Sequence, residues 1–299
     1  MAEEKKKEDI YLTIVISLWN ESKRIENCVT KLNEYIHSRP FKVQVIFSDD
    51  HSSDDTIDIV KKYAKEFDHI EYLEPKPGQA KGKGAGIQHG FSAAEGKYVM
   101  FTDCDLSTPI EELDKLLPFI EEYDIVMGSR YINEPHPYKP HYLKAVFRGV
   151  KSVFEVIIFG KAKDFTASGE QTRFRQLVSR GGNLLFTIFL NQSYVDQRCG
   201  FKLYKNRVAR FLASLQTIPG WSFDTEYLAI AQKYQFKTIE VPVVWVAENT
   251  EAKYTTRDSL KEFSQIFLVL GNKMKGLYSK KNARRKLGDL YDEYILNWK

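Results

Sequence analysis

Between residues 10 and 130 the chain swaps repeatedly between short apolar runs and longer amphipathic ones, and this alternation constrains the fold more than any other feature. Tyr11–Leu18, Val43–Phe47, Ile70–Leu73, Tyr98–Thr102 and Ile125–Met127 read as strands. The first is nearly continuous in apolar residues, as expected of a strand covered on both faces. Helices are expected between the strands: from about Ser22, a good N-cap; from Ser53-Asp54-Asp55 to about Glu66; over Gly82–Ala94 after a turn; and over Pro109–Glu121, with proline in the first turn. Strands alternating with helices imply an α/β fold with a doubly wound, mostly parallel sheet. Ligands of such sheets bind beyond the carboxyl ends of the strands.

The second half reads differently. Pro135, Pro137 and Pro140 break the chain, and two helical stretches follow near 142–159 and 173–190. Phe201–Tyr204 is strand-like, a helix covers Asp224–Lys233, Thr238–Val246 is a further strand, and the chain from about Asp258 is helical. The 299 residues suit one large α/β domain with an appendage. The organisation expected is a charged tail at 1–9, a core domain at 10–255 that includes amphipathic helices at 141–190, and a basic helical extension at 256–299. A net charge of +4 is too small to argue for nucleic acid. Cys28, Cys104 and Cys199 form no C-x-x-C pair, which argues against zinc and suits a reducing compartment. The start lacks the apolar core of a signal peptide. The longest uncharged run, Gly181–Val195, contains Asn183, Asn191, Gln192 and Ser193. It falls short of the ~18 apolar residues of a spanning helix, so contact with a membrane would be peripheral.

Three polar clusters interrupt the strand ends: Ser17-Leu18-Trp19-Asn20-Glu21, Ser48-Asp49-Asp50-His51-Ser52-Ser53-Asp54, and Thr102-Asp103-Cys104-Asp105. In a parallel sheet all three lie at one edge. Carboxylates gathered there repel one another unless a cation or hydrogen-bond donors offset them. A hard divalent ion, Mg²⁺ or Mn²⁺, answers that need and would neutralise a leaving diphosphate. Asp54 reads as a helix cap.

On these residues the sequence resembles the family 2 glycosyltransferases, which have the GT-A fold. Asn-Glu follows the first strand, Asp-Asp-x-Ser-x-Asp the second and Asp-x-Asp the fourth. The resemblance continues through Gly82-Lys83-Gly84, Leu106-Ser107-Thr108-Pro109, Gly128-Ser129-Arg130, Cys199-Gly200-Phe201-Lys202-Leu203, Phe223-Asp224-Thr225-Glu226 and Val241-Pro242-Val243-Val244-Trp245. That set is similar to the dolichyl-phosphate glucosyltransferase branch over roughly residues 10–260. The resemblance implies an inverting enzyme that moves a sugar from a nucleotide donor to a polyprenyl or dolichyl phosphate at the cytoplasmic face of a membrane. By position, Asp50 would accept the imide N–H of uracil, Trp19 would stack on the base, and Glu21 would frame the base or ribose. Asp103 would touch the ribose, Asp105 and with it Asp103 would hold the metal, and Lys83 would meet the diphosphate. Ser17, His51 and Cys104 stand where relatives often carry Pro, Gly and Ala, and Ser17 and Cys104 lie within the nucleotide-sugar set.

Arg130, Arg173, Arg175 and Arg180 fall where the core gives way to the second half. Arg175 and Ser179 are one helical turn apart and share a face. The matching positions in polyprenyl-phosphate transferases bind acceptor phosphate, which assigns Arg130, Arg175 and Ser179 that role. Asp224 and Glu226 are assigned sugar contacts or support. The 142–159 stretch sets Leu143, Val146, Phe147, Val150, Val153, Phe154, Ile157 and Ile158 on one stripe, with Lys144, Arg148 and Lys151 elsewhere on the wheel. Such a stripe fits either burial on the domain or a lipid interface; a lipid-linked substrate favours the interface. In the tail, Leu260, Phe263, Phe267, Leu270, Met274 and Leu277 form a second stripe, and Lys273–Lys286 holds seven basic residues and no acidic one, which suits an acidic lipid surface. Competing readings are transfer to a saccharide or protein hydroxyl, use of GDP-mannose, a nucleotidyltransferase, and a non-catalytic nucleotide-binding module. Trp19-Asn20-Glu21 in place of a glycine-rich loop disfavours the nucleotidyltransferase, and the paired Asp103 and Asp105 disfavour the inert module.

Overall fold

The computed structural model describes residues 9–159, 173–246 and 256–296. The charged tail before residue 9 lies outside them, as do 160–172 and 247–255; the side chains of Arg173, Arg175, Ser179, Leu260 and Phe263 are likewise outside the described set.

The first half runs β1 (Leu12–Leu18), α1 (Ile25–His37), β2 (Val43–Asp49), α2 (Thr56–Glu66), β3 (Ile70–Leu73), α3 (Lys83–Ala93) and β4 (Tyr98–Phe101). Ser22 does not cap α1. Its amide donates to Asp54 Oδ2, and a turn intervenes before the helix starts at Ile25. Instead of one helix over Pro109–Glu121 there is a 3₁₀ turn at Ile110–Glu112, a single turn α4 (Leu113–Leu116) and a second 3₁₀ turn at Leu117–Phe119. Pro118 accounts for the break, because it offers no N–H to the carbonyl one turn back and is tolerated only in the first turn of the following 3₁₀ helix. The chain continues through β5 (Ile125–Ser129), β6 (His136–Pro137), α5 (Tyr142–Phe159), α6 (Arg173–Leu190), β7 (Lys202–Lys205), α7 (Asn206–Leu215), α8 (Phe223–Tyr234), β8 (Thr238–Pro242), α9 (Thr256–Met274), α10 (Lys280–Leu287) and α11 (Leu290–Leu296).

The strands form one eight-stranded sheet in the order β3-β2-β1-β4-β7-β5-β8-β6. β1 pairs in parallel with β2 and β4, and β5 in parallel with β8. β7 enters antiparallel between β4 and β5, and β6 is antiparallel on β8. The sheet is therefore mixed, with a mostly parallel frame. Its order reverses between β1 and β4, which opens a crevice at their carboxyl ends.

Side-chain alternation along β1 feeds two cores. Leu12, Ile14, Ile16 and Leu18 pack under α1 with Cys28, Leu32 and Leu113. Val15 faces the other way, with Phe91, Phe101, Tyr204, Phe211 and Tyr227. The C-terminal helices join this second core through Ile266, Val269, Tyr278, Ala283 and Tyr291.

One buried acid ties the far side of the sheet together. Glu240 on β8 is 1% exposed and accepts the amides of Val195 and Asp196 at 2.8–3.0 Å. Burial pushes its carboxyl up to about 7, opposed by those amides and by Arg148. A carboxyl raised on folding adds stability that is complete below its unfolded value of 4.5 and is lost as pH climbs through about 7. That window is worth on the order of 3 kcal/mol. Glu240→Gln is expected to flatten the urea midpoint between pH 5 and 8; a variant that keeps the wild-type slope refutes this assignment.

Candidate active site

The three predicted strand-end clusters meet at the crevice. The first two carry a residue in the left-handed region, Asn20 (φ 53°) and His51 (φ 60°), and the third is followed directly by one, Leu106 (φ 47°). Such backbone strain gathers where surrounding contacts over-determine a loop. Here Asn20 N donates to Ser52 Oγ, Ser53 N to Asn20 Oδ1, and Glu21 N to Thr56 Oγ1, so the first two loops are stitched together. Asp54 accepts from Ser22 N and from Thr56 N and Oγ1; it braces both loops rather than capping α2. Burial raises the Asp54 carboxyl, but the hydrogen bonds from Thr56 and Ser22 outweigh it and hold the group at about 2.

Asp50 is 7% exposed and accepts the Gly82 amide at 2.7 Å, and burial raises its carboxyl. Trp19, just past the end of β1, is exposed. Glu21 turns its carboxylate to Arg24 at 2.9 Å. Ser17 lies under α3, close enough to Gly86 that a β-carbon there would meet its hydroxyl. Gly82 has φ +135°, and a β-carbon on it would lie 2.5 Å from the Pro219 carbonyl oxygen. Glycine is required at that turn on both counts.

Lys83, the first residue of α3, forms an ion pair with Asp103, and its ammonium sits 4.9 Å from the Trp221 ring centroid and 6.0 Å from that of Phe101. Burial opposes its charge, but Asp103 outweighs burial and raises it. Asp105 is raised by burial and by Asp103, against the Ser107 amide that it accepts at 2.9 Å. Cys104 is buried between them and touches Cys28; that contact and burial push its thiol well up. Among the described residues no group of three His, Cys, Asp or Glu side chains is spaced to enclose a metal ion. Asp103 and Asp105 still fit a divalent ion of the Mg²⁺ type, which takes one or two carboxylates and fills its remaining positions with phosphate oxygens and water. The mutual repulsion that raises Asp105 is what such an ion relieves.

Asp224, at the start of α8, lies 3.3 Å from Lys202 Nζ, which is fully buried and also donates to the Cys199 carbonyl at 2.6 Å. Asp224 is therefore a charge-balanced carboxylate. Glu226 points away from the crevice and accepts from Thr217, Ile218 and Tyr278.

The model for glycosyl transferase family 2 matches residues 13–198. The chain belongs to that family. Among curated members, it is 31% identical to the dolichyl-phosphate beta-glucosyltransferase ALG5C of Trichomonas vaginalis over 249 residues, 79% of this chain and 64% of that protein. It is 26% identical to the dolichyl-phosphate beta-glucosyltransferase of Saccharomyces cerevisiae over 280 residues, 91% and 77% of the two chains. The chain spans about two thirds of the length of the first of these relatives. Two solved structures share the fold: glucosyl-3-phosphoglycerate synthase of Mycobacterium tuberculosis with Mn²⁺ and UDP (TM-score 0.51, 15% identity, 88% of this chain and 80% of that one), and mannosyl-3-phosphoglycerate synthase of Rubrobacter xylanophilus (TM-score 0.57, 14% identity, 89% and 74%). The mixed sheet is thus the GT-A sheet of the family.

Elsewhere in this family 2 domain, Arg130 follows β5 and is gripped by Asp196, which accepts its amide, Nε and NH2 at 2.8–2.9 Å. The guanidinium charge is already balanced, so Arg130 can share a phosphate but does not bring net charge to it. Arg175 and Ser179 lie on the first turns of α6. Arg180, 8% exposed, stacks 3.7 Å over the Tyr131 ring. The Asp196–Gly200 segment links the two halves of the site, holding Arg130 at one end and abutting Asp103 at the other. Sequence reading missed Trp221, which sits in a loop without periodicity, and it gave no role to Lys202, quoted within Cys199–Leu203, because its partner Asp224 lies on another element.

Gly200 has no room for a side chain, because a β-carbon would collide with the Asp103 carboxylate. Gly200→Ala is expected to displace Asp103 and weaken metal-dependent nucleotide binding by up to about 10²-fold, the scale of a 1 Å misplacement. Calorimetric titration with UDP and Mn²⁺ checks this; wild-type affinity would rule it out.

Proposed function

We propose that this protein transfers glucose from UDP-glucose to the phosphate of a dolichyl or other polyprenyl lipid, with inversion at the anomeric carbon, while lying on the cytoplasmic face of a membrane. One observation carries the reading. An acid-and-lysine cradle fit for a nucleoside diphosphate shares its domain with a helix whose apolar stripe faces outward. The curated relatives named for dolichyl-phosphate glucosylation support the donor and acceptor named here.

On α5, Leu143, Phe147 and Phe154 are 80%, 72% and 60% exposed, and Val150, Ile157 and Ile158 are exposed with them. Ala145, Ser152 and Val156 line the opposite, inward side, and Arg148 donates to the Ser193 carbonyl at 2.7 Å. An amphipathic helix mounted this way leaves an apolar surface that a lipid interface would cover. No helix among the described residues is long and apolar enough to cross a membrane. Serine at both Phe147 and Phe154 should lower partitioning onto anionic vesicles by more than about tenfold, since each buried phenylalanine is worth roughly 1.5–3 kcal/mol. Undiminished flotation with vesicles would contradict the orientation.

A phosphate monoester has a second pKa of about 6 and is largely dianionic at neutral pH. It needs little help from a base, so the protein's work is positioning and charge stabilisation. Asp50 and Trp19 hold the base, with Ser17 and Glu21 framing it. Lys83 offsets the diphosphate as it departs. Arg175 and Ser179, with Arg130, aim the acceptor oxygen at C1. Asp224, its charge balanced by Lys202, meets sugar hydroxyls. A divalent ion held by Asp105 and Asp103, Mg²⁺ or Mn²⁺, would supply further neutralisation of the diphosphate.

The test is a panel of nucleotide sugars, GDP-mannose included, offered with short polyprenyl phosphate or with free sugar acceptors, and read by the mass of the lipid product. UDP-glucose with lipid phosphate is expected to react. Asp105→Ala should lower kcat about 10²–10³-fold, and Arg175→Ala should raise the lipid-phosphate KM by about tenfold or more while sparing donor affinity. Turnover only with a sugar hydroxyl acceptor, or equal loss of donor affinity in Arg175→Ala, would overturn the proposal.

A further inference from the structure

Trp221 stands over Lys83 on a loop that has no regular structure of its own, Gln216–Ser222, between α7 and α8. The loop's inner surface rests on the turn that opens α3. The Pro219 carbonyl accepts the Ala85 amide at 3.0 Å, and Gln216 Nε2 donates to the Gly84 carbonyl at 2.9 Å. A β-carbon on Gly84 would lie within 2.9 Å of the Gly220 and Ile218 carbonyl oxygens, so loop and turn move as one.

The loop's outer surface is held by the C-terminal helices. Glu226, fully buried, accepts Thr217 N, Ile218 N and Thr217 Oγ1 from the loop and the Tyr278 hydroxyl, at 2.6 Å, from the turn between α9 and α10. Asn272 Nδ2 donates to Thr217 Oγ1 at 2.7 Å. Gln265 Oε1 accepts Ser222 N at 3.2 Å, and the Gln265 amide lies against Gly220. These contacts reach the loop on both sides of Trp221.

We propose that the C-terminal helices are part of the donor site: Gln265, Asn272 and Tyr278 are positioning residues that clamp the Thr217–Ser222 loop so that the Trp221 ring walls the diphosphate–sugar end of the crevice above Lys83. The inference rests on the donor-site reading given above. Its physical basis is entropic. A loop carrying Pro219 and Gly220 and a large exposed ring samples many conformations unless hydrogen bonds select one, and a preformed wall spares that cost when the donor binds.

Two measurements on the full chain test the clamp. In a Tyr278→Phe/Asn272→Ala variant, amides at Thr217, Ile218 and Ser222 should exchange with deuterium about tenfold faster or more, the effect of losing the hydrogen bonds that hold the loop. Amides of β1 and β4 should keep their wild-type rates. The KM for UDP-glucose should rise by about tenfold while the KM for a short polyprenyl phosphate and the melting temperature stay near wild type. Trp221→Ala should raise the donor KM alone by a similar factor, and adding it to the double variant should give no further rise, because the residues act as one unit. If the double variant melts early, Gln265→Ala, which removes the acceptor for Ser222 N alone, reports the same split. Unchanged loop exchange, a parallel rise in both KM values, or additive effects of Trp221→Ala would each overturn the clamp. A wild-type protein that turns over no nucleotide sugar would instead overturn the donor reading, and the exchange rates would still decide whether the clamp exists.

Discussion

Carboxylates crowd the carboxyl edge of the sheet, and the rest of the molecule is arranged around balancing them. Asp50 is met by the Gly82 amide, Asp103 by Lys83, Asp224 by Lys202 and Asp196 by Arg130. The four partners come from three places, the start of α3 (Gly82 and Lys83), β7 (Lys202) and the end of β5 (Arg130), so the charge balance also fixes how α3, β7 and β5 sit against β1 and β4. A buried carboxylate without a counter-charge or donors is costly enough to shift its own titration. Burial raises Asp50 and Asp105, and Asp105 has Asp103 beside it as a like charge. The edge is therefore stable as it stands and more stable with additional positive charge at Asp105, the condition expected of a place that receives a cation and a diphosphate together.

That arrangement explains which features were legible in the sequence. Four of the five early strands, β1, β2, β4 and β5, were visible because they are buried on both faces, and burial leaves a nearly continuous apolar run; the edge strand β3, with Glu71 exposed, shows only the short Ile70, Tyr72 and Leu73 pattern. The stretches read as helical near 142–159 and 173–190 are helical in the described residues, as α5 and α6. The clusters at the strand ends could be placed at one edge because parallel strands share a direction. What local pattern does not carry is strand direction. Phe201–Tyr204 looked like any other strand, yet Lys202–Lys205 runs antiparallel between β4 and β5. α7 was passed over although Val208, Phe211, Leu212 and Leu215 stand at helical spacing, and all of them are buried.

The site itself was half legible. Asp50, Lys83, Asp103 and Asp105 come together because short loops hold them next to their strands. Arg130 kept its place, but its pairing with Asp196 is 66 residues long-range and has no signature in either neighbourhood. Neither Ser22 nor Asp54 takes the capping role expected of it: Asp54 accepts the Ser22 and Thr56 amides and the Thr56 hydroxyl, since a carboxylate that can reach two amides and a hydroxyl gains more than one that caps a single helix. His51 occupies a left-handed position where relatives often have glycine. Histidine tolerates that region better than most side chains, at some cost in strain, and the stitched loops around it hold the conformation.

The helical wheel of α5 could not decide which way its apolar stripe faces, because both mountings satisfy the same periodicity. The polar side settles it. Arg148 reaches the Ser193 carbonyl, and its charge acts on Glu240, whose carboxylate holds the amides of Val195 and Asp196; Asp196 in turn grips Arg130. An arginine turned inward by these contacts forces the opposite stripe outward, since the helix has only two broad faces. The same chain of polar contacts fixes Arg130 past β5, much as Gln265 meets the loop that carries Trp221 and Asn272 and Tyr278 meet the groups beneath it. In both cases contacts from later in the chain hold residues at a crevice whose floor is built by the early strands. The early strand ends are thus readable on their own, and the parts that complete the crevice are set by contacts distant in sequence.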